Sequence, residues 1–225
     1  MNKLIVIEGL DGSGKATQAR LLAGALASQG IRAREVSFPD YDSPSSALVK
    51  MYLGGAFGDR PGDVNAFAAS TFYAVDRYAS FKKDWQADYA GGVIIADRYT
   101  TSNAVHQCSK LDRAQWDAYL EWLFDLEYNR MGIPTPDLVV YLRVDPEVSQ
   151  GLMLARYEGH EEKKDIHEKD MAYLRRCQDA AEYCAQKLGW RIVDCCEGGR
   201  MRSVESIQAD IRGIADAMLS SLGEV

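Results

Sequence analysis

The sequence predicts an α/β fold in which a five-stranded parallel sheet carries helices on both faces. Three observations lead there. Five short runs, at 3–8, 33–38, 93–96, 138–142 and 191–194, are separated by helix-patterned stretches. Apolar runs such as Leu4-Ile5-Val6-Ile7 and Val93-Ile94-Ile95-Ala96, alternating with helices, imply strands buried on both faces. The first run leads directly into Gly9-Leu10-Asp11-Gly12-Ser13-Gly14-Lys15, a glycine-rich turn with a helical pattern behind it.

In chain order, Ala19, Leu22, Ala23 and Leu26 mark one face of a helix over 15–29 that stops at Gly30. The second strand ends at Pro39. Residues 44–54 have a helical pattern, and Gly54-Gly55 and Asp59-Arg60-Pro61-Gly62 mark loops. A long helix is expected over 64–89, then the third strand after Gly91-Gly92, ending at Asp97. Helices are expected over 101–108 and 112–131, and Pro134-Thr135-Pro136-Asp137 leads into the fourth strand. A helix over 146–157, a charge-dense segment from Glu158 to Asp170, a helix over 168–188, the last strand and a helix over 203–222 complete the chain. Ligands of such sheets bind beyond the carboxyl ends of the strands. The loop at 9–15, Phe38-Pro39, Asp97-Arg98 and the segment from Cys195 to Arg202 are therefore expected at one edge, the last as part of an adenine pocket.

Length and composition bound the function. A chain of 225 residues, 47% hydrophobic, suits one large domain spanning 1–225 with a short lid at about 156–169. A net charge of −7 argues against a broad nucleic-acid surface. No run of 18 apolar residues exists, so no membrane span is expected, and Met1-Asn2-Lys3 leads into a core strand without a signal-peptide layout. The five cysteines lack metal-site spacing and the three histidines, His106, His160 and His167, do not cluster as a zinc site would; free thiols in a reducing cytoplasm are expected.

The pattern G-x-x-x-x-G-K at the first strand–helix junction builds a phosphate cradle, so the fold is expected to be P-loop NTPase-like. Successive backbone N–H groups point into the loop, the positive end of a helix dipole faces it, and Lys15 reaches the outer phosphates. Residues Gly9 to Thr17, including Leu10, Asp11, Gly12, Ser13, Gly14 and Ala16, are the candidate ATP contacts. One departure stands out: the pattern has Ser or Thr after the lysine to hold Mg²⁺, whereas this chain has Ala16 followed by Thr17. Asp97 closes an apolar strand, as metal-associated aspartates do in P-loop proteins. Arg98 offers a guanidinium that can clamp a phosphate with two parallel hydrogen bonds, the alternative being a surface ion pair.

Taken together, these residues resemble the bacterial-type thymidylate kinases of the P-loop nucleoside monophosphate kinase superfamily. The matching pieces are Glu8 to Lys15 with Thr17-Gln18, Phe38-Pro39, the helix around Phe72-Tyr73 and Arg77, Asp97-Arg98-Tyr99, Ser102-Asn103 and Pro136-Asp137-Leu138, in the family's order and over most of the chain. The resemblance implies an enzyme that phosphorylates dTMP to dTDP with ATP and Mg²⁺, for dTTP synthesis, acting as a homodimer on small molecules. Lys15, Arg98, Asp97 and Asp11 would be the catalytic set, and Asp11, Asp97 and Glu168 the metal set. The dTMP site would draw on Asp11, Phe38, Pro39, Tyr41, Leu53, Phe72, Tyr73, Arg77, Arg98, Ser102, Asn103, His106 and Gln107. The family stacks thymine on an aromatic ring four residues before an arginine on one helix face. Tyr73 and Arg77 have that spacing, with Phe72 as the rival ring.

Departures from the family pattern bear on the same site. An arginine that many members carry after Phe-Pro is replaced by Asp40-Tyr41, leaving the Tyr41 hydroxyl as a substitute contact. The loop also lacks an arginine, a role the lid would take through Arg156, Lys163 and Lys164, although Glu158, Glu161 and Glu162 equally suit a solvated loop. Two other functions fit the same motifs: a kinase for a deoxynucleoside or another monophosphate, and a catalytically weak nucleotide-binding regulator.

Overall fold

Five strands order themselves around the first. The computed structural model describes residues 2–145, 147–149, 151–152, 166–167 and 170–220. In it β1 (Lys3–Gly9), β2 (Ala33–Ser37), β3 (Val93–Asp97), β4 (Leu138–Arg143) and β5 (Arg191–Asp194) form one sheet in the order β2-β3-β1-β4-β5, and every pairing is parallel. The register sets Ile7 beside Asp97 and Gly9 beside Leu142, so the ends of β1, β3 and β4 open at one edge.

The strand period of two sorts β1 between two cores. Leu4 and Val6 join the layer packed by α5 (Thr100–Cys108), α6 (Trp116–Phe124) and α7 (Met171–Leu188). Ile5 and Ile7 join the opposite layer, with Ala19, Leu22 and Leu26 of α1 (Lys15–Ser28) and Ile207, Ile211 and Ala215 of α8 (Val204–Ser220). This is the both-faces-covered sheet that the apolar strands predict.

Several helices are more broken than their periodicity suggests. The stretch 44–54 splits into a 3₁₀ turn at Pro44–Ser46 and α2 (Ala47–Leu53). The helix expected over 64–89 starts later, because the Asn65 side chain accepts the Ala68 N–H at 2.9 Å and caps α3 (Ala66–Ser80). A π-helical turn, Phe81–Trp85, then precedes α4 (Gln86–Gly91). The stretch 112–131 becomes a 3₁₀ turn, α6 and a second π-helical turn, Asp125–Arg130. Asp170 accepts the Tyr173 N–H at 2.8 Å and caps α7, and Gly189 ends it at φ 69°. A small antiparallel hairpin, β6 (Cys196–Glu197) and β7 (Arg200–Met201), was not foreseen from the sequence. Gly198 (φ 56°) and Gly199 (φ 72°) make its two-residue turn.

Of the helix expected over 146–157, the described residues 147–149 and 151–152 are helical; of the lid at 156–169, only Ile166 and His167 lie within the described residues. No described helix is long and apolar enough to cross a membrane. All five cysteines are free thiols.

Candidate active site

A cleft of about 810 Å³ lies at the carboxyl edge of the sheet, with the glycine-rich loop at one end and the α3–α5 contact at the other. The loop holds its shape through two glycines in the left-handed region, Gly12 (φ 79°) and Gly14 (φ 86°), where other residues strain. At Gly9 a Cβ would fall 2.5 Å from Ser13 Oγ and 3.0 Å from the Leu142 carbonyl, so no larger residue fits. Lys15 donates to the Leu10 carbonyl at 2.8 Å. Burial, and then Arg98, push its amine down to about 8. Ala16 and Thr17 line the cleft, as does Met201 of the unforeseen hairpin.

Arg98 stands where β3 ends. Its backbone is left-handed, φ 66°, and its N–H donates to the Ile7 carbonyl at 3.2 Å. Its guanidinium pairs with Asp11 and reaches Ser102 Oγ at 3.4 Å. Burial alone would raise the Asp11 carboxyl, but Arg98 and then Lys15 outweigh it and hold Asp11 well below the usual carboxylate range. Behind Arg98 lies Glu8, buried, accepting the Gly9 N–H at 2.8 Å and the hydroxyls of Thr101 (2.6 Å) and Ser102 (2.8 Å). Asp97 lines the cleft, and its Oδ1 is buried with no hydrogen-bond partner among the described residues.

At the far end, Tyr73, Arg77, Asn103, His106 and Gln107 face the cleft, together with Leu53, Phe38, Pro39, Tyr41 and Ser102. Phe72 does not line it. Its ring packs against Tyr52 and Phe57, at centroid distances of 6.3 and 5.6 Å, so of the two candidate rings Tyr73 is the one that lines the cleft. Arg77 is gripped by Glu127 through Nε–Oε2 (2.7 Å) and Nη2–Oε1 (2.5 Å), with Nη1 3.4 Å from the Tyr99 carbonyl. Gln107 is wholly buried and neither end of its amide has a partner.

The side walls are wired by groups that sequence reasoning missed, together with His106, which it named. Asp76 accepts the Asp40 N–H (2.8 Å) and the Ser45 hydroxyl (2.7 Å), fixing the loop that carries Tyr41. His106 and His167 both line the cleft, with rings stacked 5.5 Å apart. Tyr52 Oη lies 2.8 Å from His167 Nε2 and accepts from Lys110 Nζ at 2.7 Å. Burial, and then Arg98, hold His106 down to about 3, and burial pushes Lys110 down to about 7. For Glu8 a signal existed, a carboxylate inside an apolar run. Glu127, Asp76 and Lys110 had none, because their partners lie 31 to 58 residues away in sequence. Arg156, Lys163, Lys164 and Glu168 lie outside the described residues.

A family model described as thymidylate kinase matches residues 7–207. The chain is 31% identical over 191 residues to thymidylate kinase of Mycobacterium tuberculosis, covering 84% of this chain and 88% of that protein. It is 32% identical over 210 residues to a probable thymidylate kinase of Methanothermobacter thermautotrophicus, covering 93% and 92%. A solved thymidylate kinase structure from Candida albicans superposes with a TM-score of 0.69 over 96% of this chain and 92% of that one, at 22% identity, a likeness of fold.

Proposed function

The chain belongs to the thymidylate kinase family, and on that premise we propose how its cleft phosphorylates dTMP. The reaction moves the γ-phosphoryl group of ATP to the 5′-phosphate of dTMP and yields dTDP. Two polyanions must be brought into line, so the protein contributes mostly position and positive charge. The supporting observation is that one cleft carries phosphate-binding groups, Lys15 and Arg98, at one end and an aromatic–arginine pair, Tyr73 and Arg77, at the other.

Lys15 leaves the Leu10 carbonyl to hold the outer phosphates of ATP, over the loop's backbone N–H groups. Arg98 keeps N–H groups beyond those committed to Asp11 and Ser102, and these bridge donor and acceptor phosphates. Asp11 fixes Arg98 in that place. Thymine stacks on Tyr73, with Arg77 donating to its O4 and Asn103 accepting its N3–H. His106 and His167 flank the sugar, and Tyr41 offers a hydroxyl where Asp40 replaces the family's arginine.

Mg²⁺ supplies charge neutralisation between the phosphates. The residues fit it, because Asp97 Oδ1 is a buried acceptor without a partner, and Mg²⁺ keeps several waters and needs few protein ligands. Asp11 is the second candidate ligand, with one oxygen committed to Arg98. The third, Glu168, lies outside the described residues. A homodimer is supported by exposed apolar side chains on α3 (Phe67, Val75, Tyr78) and on α2 (Leu48, Met51). The free thiols support a reducing, cytoplasmic setting.

ADP release from Mg²⁺-ATP with dTMP, dUMP, dGMP, CMP and thymidine as acceptors tests this reading. Turnover with dTMP well above the rest is expected. Turnover led by thymidine or another monophosphate reassigns the substrate. Binding of dTMP without turnover makes the chain the regulator that Ala16 and Asp40 favour.

A further inference from the structure

Two groups at the base end of the cleft carry a fixed polarity, and one carboxylate touches both. Glu127 sits on the π-helical turn behind α6, fully buried. Besides its two bonds to Arg77, its Oε2 accepts the Thr100 hydroxyl at 3.0 Å and its Oε1 lies 3.4 Å from Asn103 Nδ2. Asn103 Nδ2 also donates to the Ser70 carbonyl at 3.2 Å. Both neighbours of that nitrogen are acceptors, so the amide cannot turn round: Oδ1 is the end left for the cleft. Arg77 can only donate. Gln107 is different, since neither end of its amide is tied down and it can present a donor or an acceptor.

We propose that Glu127, though it touches no ligand position, selects the pyrimidine by holding Arg77 as donor and Asn103 as acceptor. The inference rests on the dTMP reading of this cleft. A 4-keto pyrimidine has an acceptor at O4 and a donor at N3, which match that pair. A 4-amino pyrimidine has a donor at N4 and an acceptor at N3, which oppose it at both points. Gln107 adapts to either base, so discrimination falls to the two groups that Glu127 orients. A site whose buried polar groups are left unpaired by the wrong ligand rejects that ligand strongly. Glu127 is thus a positioning residue for base choice.

The test compares kcat/KM for dTMP and dCMP, with KM for ATP, in the native protein, Glu127→Asp and Thr100→Val. Glu127→Asp keeps the charge but shortens the reach that makes the double bond to Arg77. It is expected to raise the dTMP KM and lower the dTMP:dCMP ratio about tenfold, leaving the ATP KM unchanged. Thr100→Val removes one hydroxyl from Glu127 and leaves the Arg77 pair, and a smaller fall of about threefold is expected. A ratio equal to the native value in a folded Glu127→Asp protein overturns the inference, even if turnover or melting temperature drops. If Glu127→Asp does not fold, Thr100→Val decides by the same criterion. A native protein that does not prefer dTMP to dCMP instead removes the substrate reading on which the inference rests.

Discussion

Lys15 folds its ammonium back onto the carbonyl of Leu10, 2.8 Å away, so the phosphate loop is closed by its own lysine. Replacing Lys15 with Met should leave the fold intact and lower kcat/KM by at least about 100-fold, as the loss of a charge aimed at the reacting phosphates does. Its amine is held near 8. Affinity for ATP is therefore expected to weaken as pH rises past about 8, where the free amine loses its charge. Lys15→Arg should flatten that profile. Nucleotide binding followed from about pH 6.5 to about pH 9.5, on both sides of that value, checks both statements.

Ala16 faces the cleft without an oxygen for a metal. The native protein is expected to turn over with Mg²⁺, and Ala16→Thr to lower the Mg²⁺ concentration for half-maximal rate several-fold, with kcat changing less than about tenfold. Activity titrated with Mg²⁺ measures this. A native protein that is inactive until Ala16→Thr restores it would show that alanine is not compatible with catalysis.

Asp76 is the only described side chain that accepts from the Asp40 backbone, and it also accepts from Ser45. Asp76→Ala leaves the Asp40 N–H without its partner, at a cost of about 1–3 kcal/mol where it stays dry, while the Ser45 hydroxyl keeps Ser43 Oγ within 2.8 Å. The KM for dTMP should rise more than the KM for ATP, because the loop carries Tyr41 and not the glycine-rich turn. Asp76→Asn keeps one acceptor and should fall between. Steady-state kinetics with each substrate varied separates these outcomes from a uniform loss.

The histidine pair sets the acid limit of the fold. Burial, aided by Arg98, keeps His106 down to about 3 in the folded state, against 6.5 when unfolded. Burial, aided by His106, also holds His167 well below its usual value. The unfolded chain therefore binds protons first as pH falls. The histidines' contribution to stability is complete above about pH 6.5 and is lost on the way down, by up to about 1.4 kcal/mol per pH unit for each histidine. His106→Gln should reduce that slope. Lys110 works in the same sense at higher pH: with its amine near 7 folded and 10.5 unfolded, stability should still rise above neutrality, and Lys110→Met should remove that rise. Urea unfolding across the pH range reads all three.

The parts of this protein readable from sequence are those where chemistry and chain order coincide. The glycine-rich turn, Lys15, Asp97 and Arg98 announce themselves because each lies at a strand end, and strand ends were visible as breaks in apolar runs. The family resemblance supplied the aromatic–arginine pair, and the helical i, i+4 spacing favoured Tyr73 over its rival Phe72. The orienting groups were not readable. Glu127 reads as one more charge on an amphipathic helix until the fold brings it to Arg77, 50 residues away. The late start of α3 was legible in Asn65, a residue that caps helices. The π-helical turns were not, since the same apolar spacing serves an α-helix.

Arg98 has φ of 66°, the one described residue other than glycine with a positive φ. A left-handed residue with a side chain costs about 1 kcal/mol relative to glycine. The strain lies under the guanidinium proposed to bridge the two phosphates, and the pairing of that guanidinium with Asp11 holds the dihedral angle where it is. Arg98→Gly would relax the backbone but leave Asp11 and the buried Glu8 without their cation, so it is expected to lower the melting temperature as well as remove the proposed phosphate contact. Engineering for robustness should therefore leave this corner untouched and seek its gains in the helices away from the cleft.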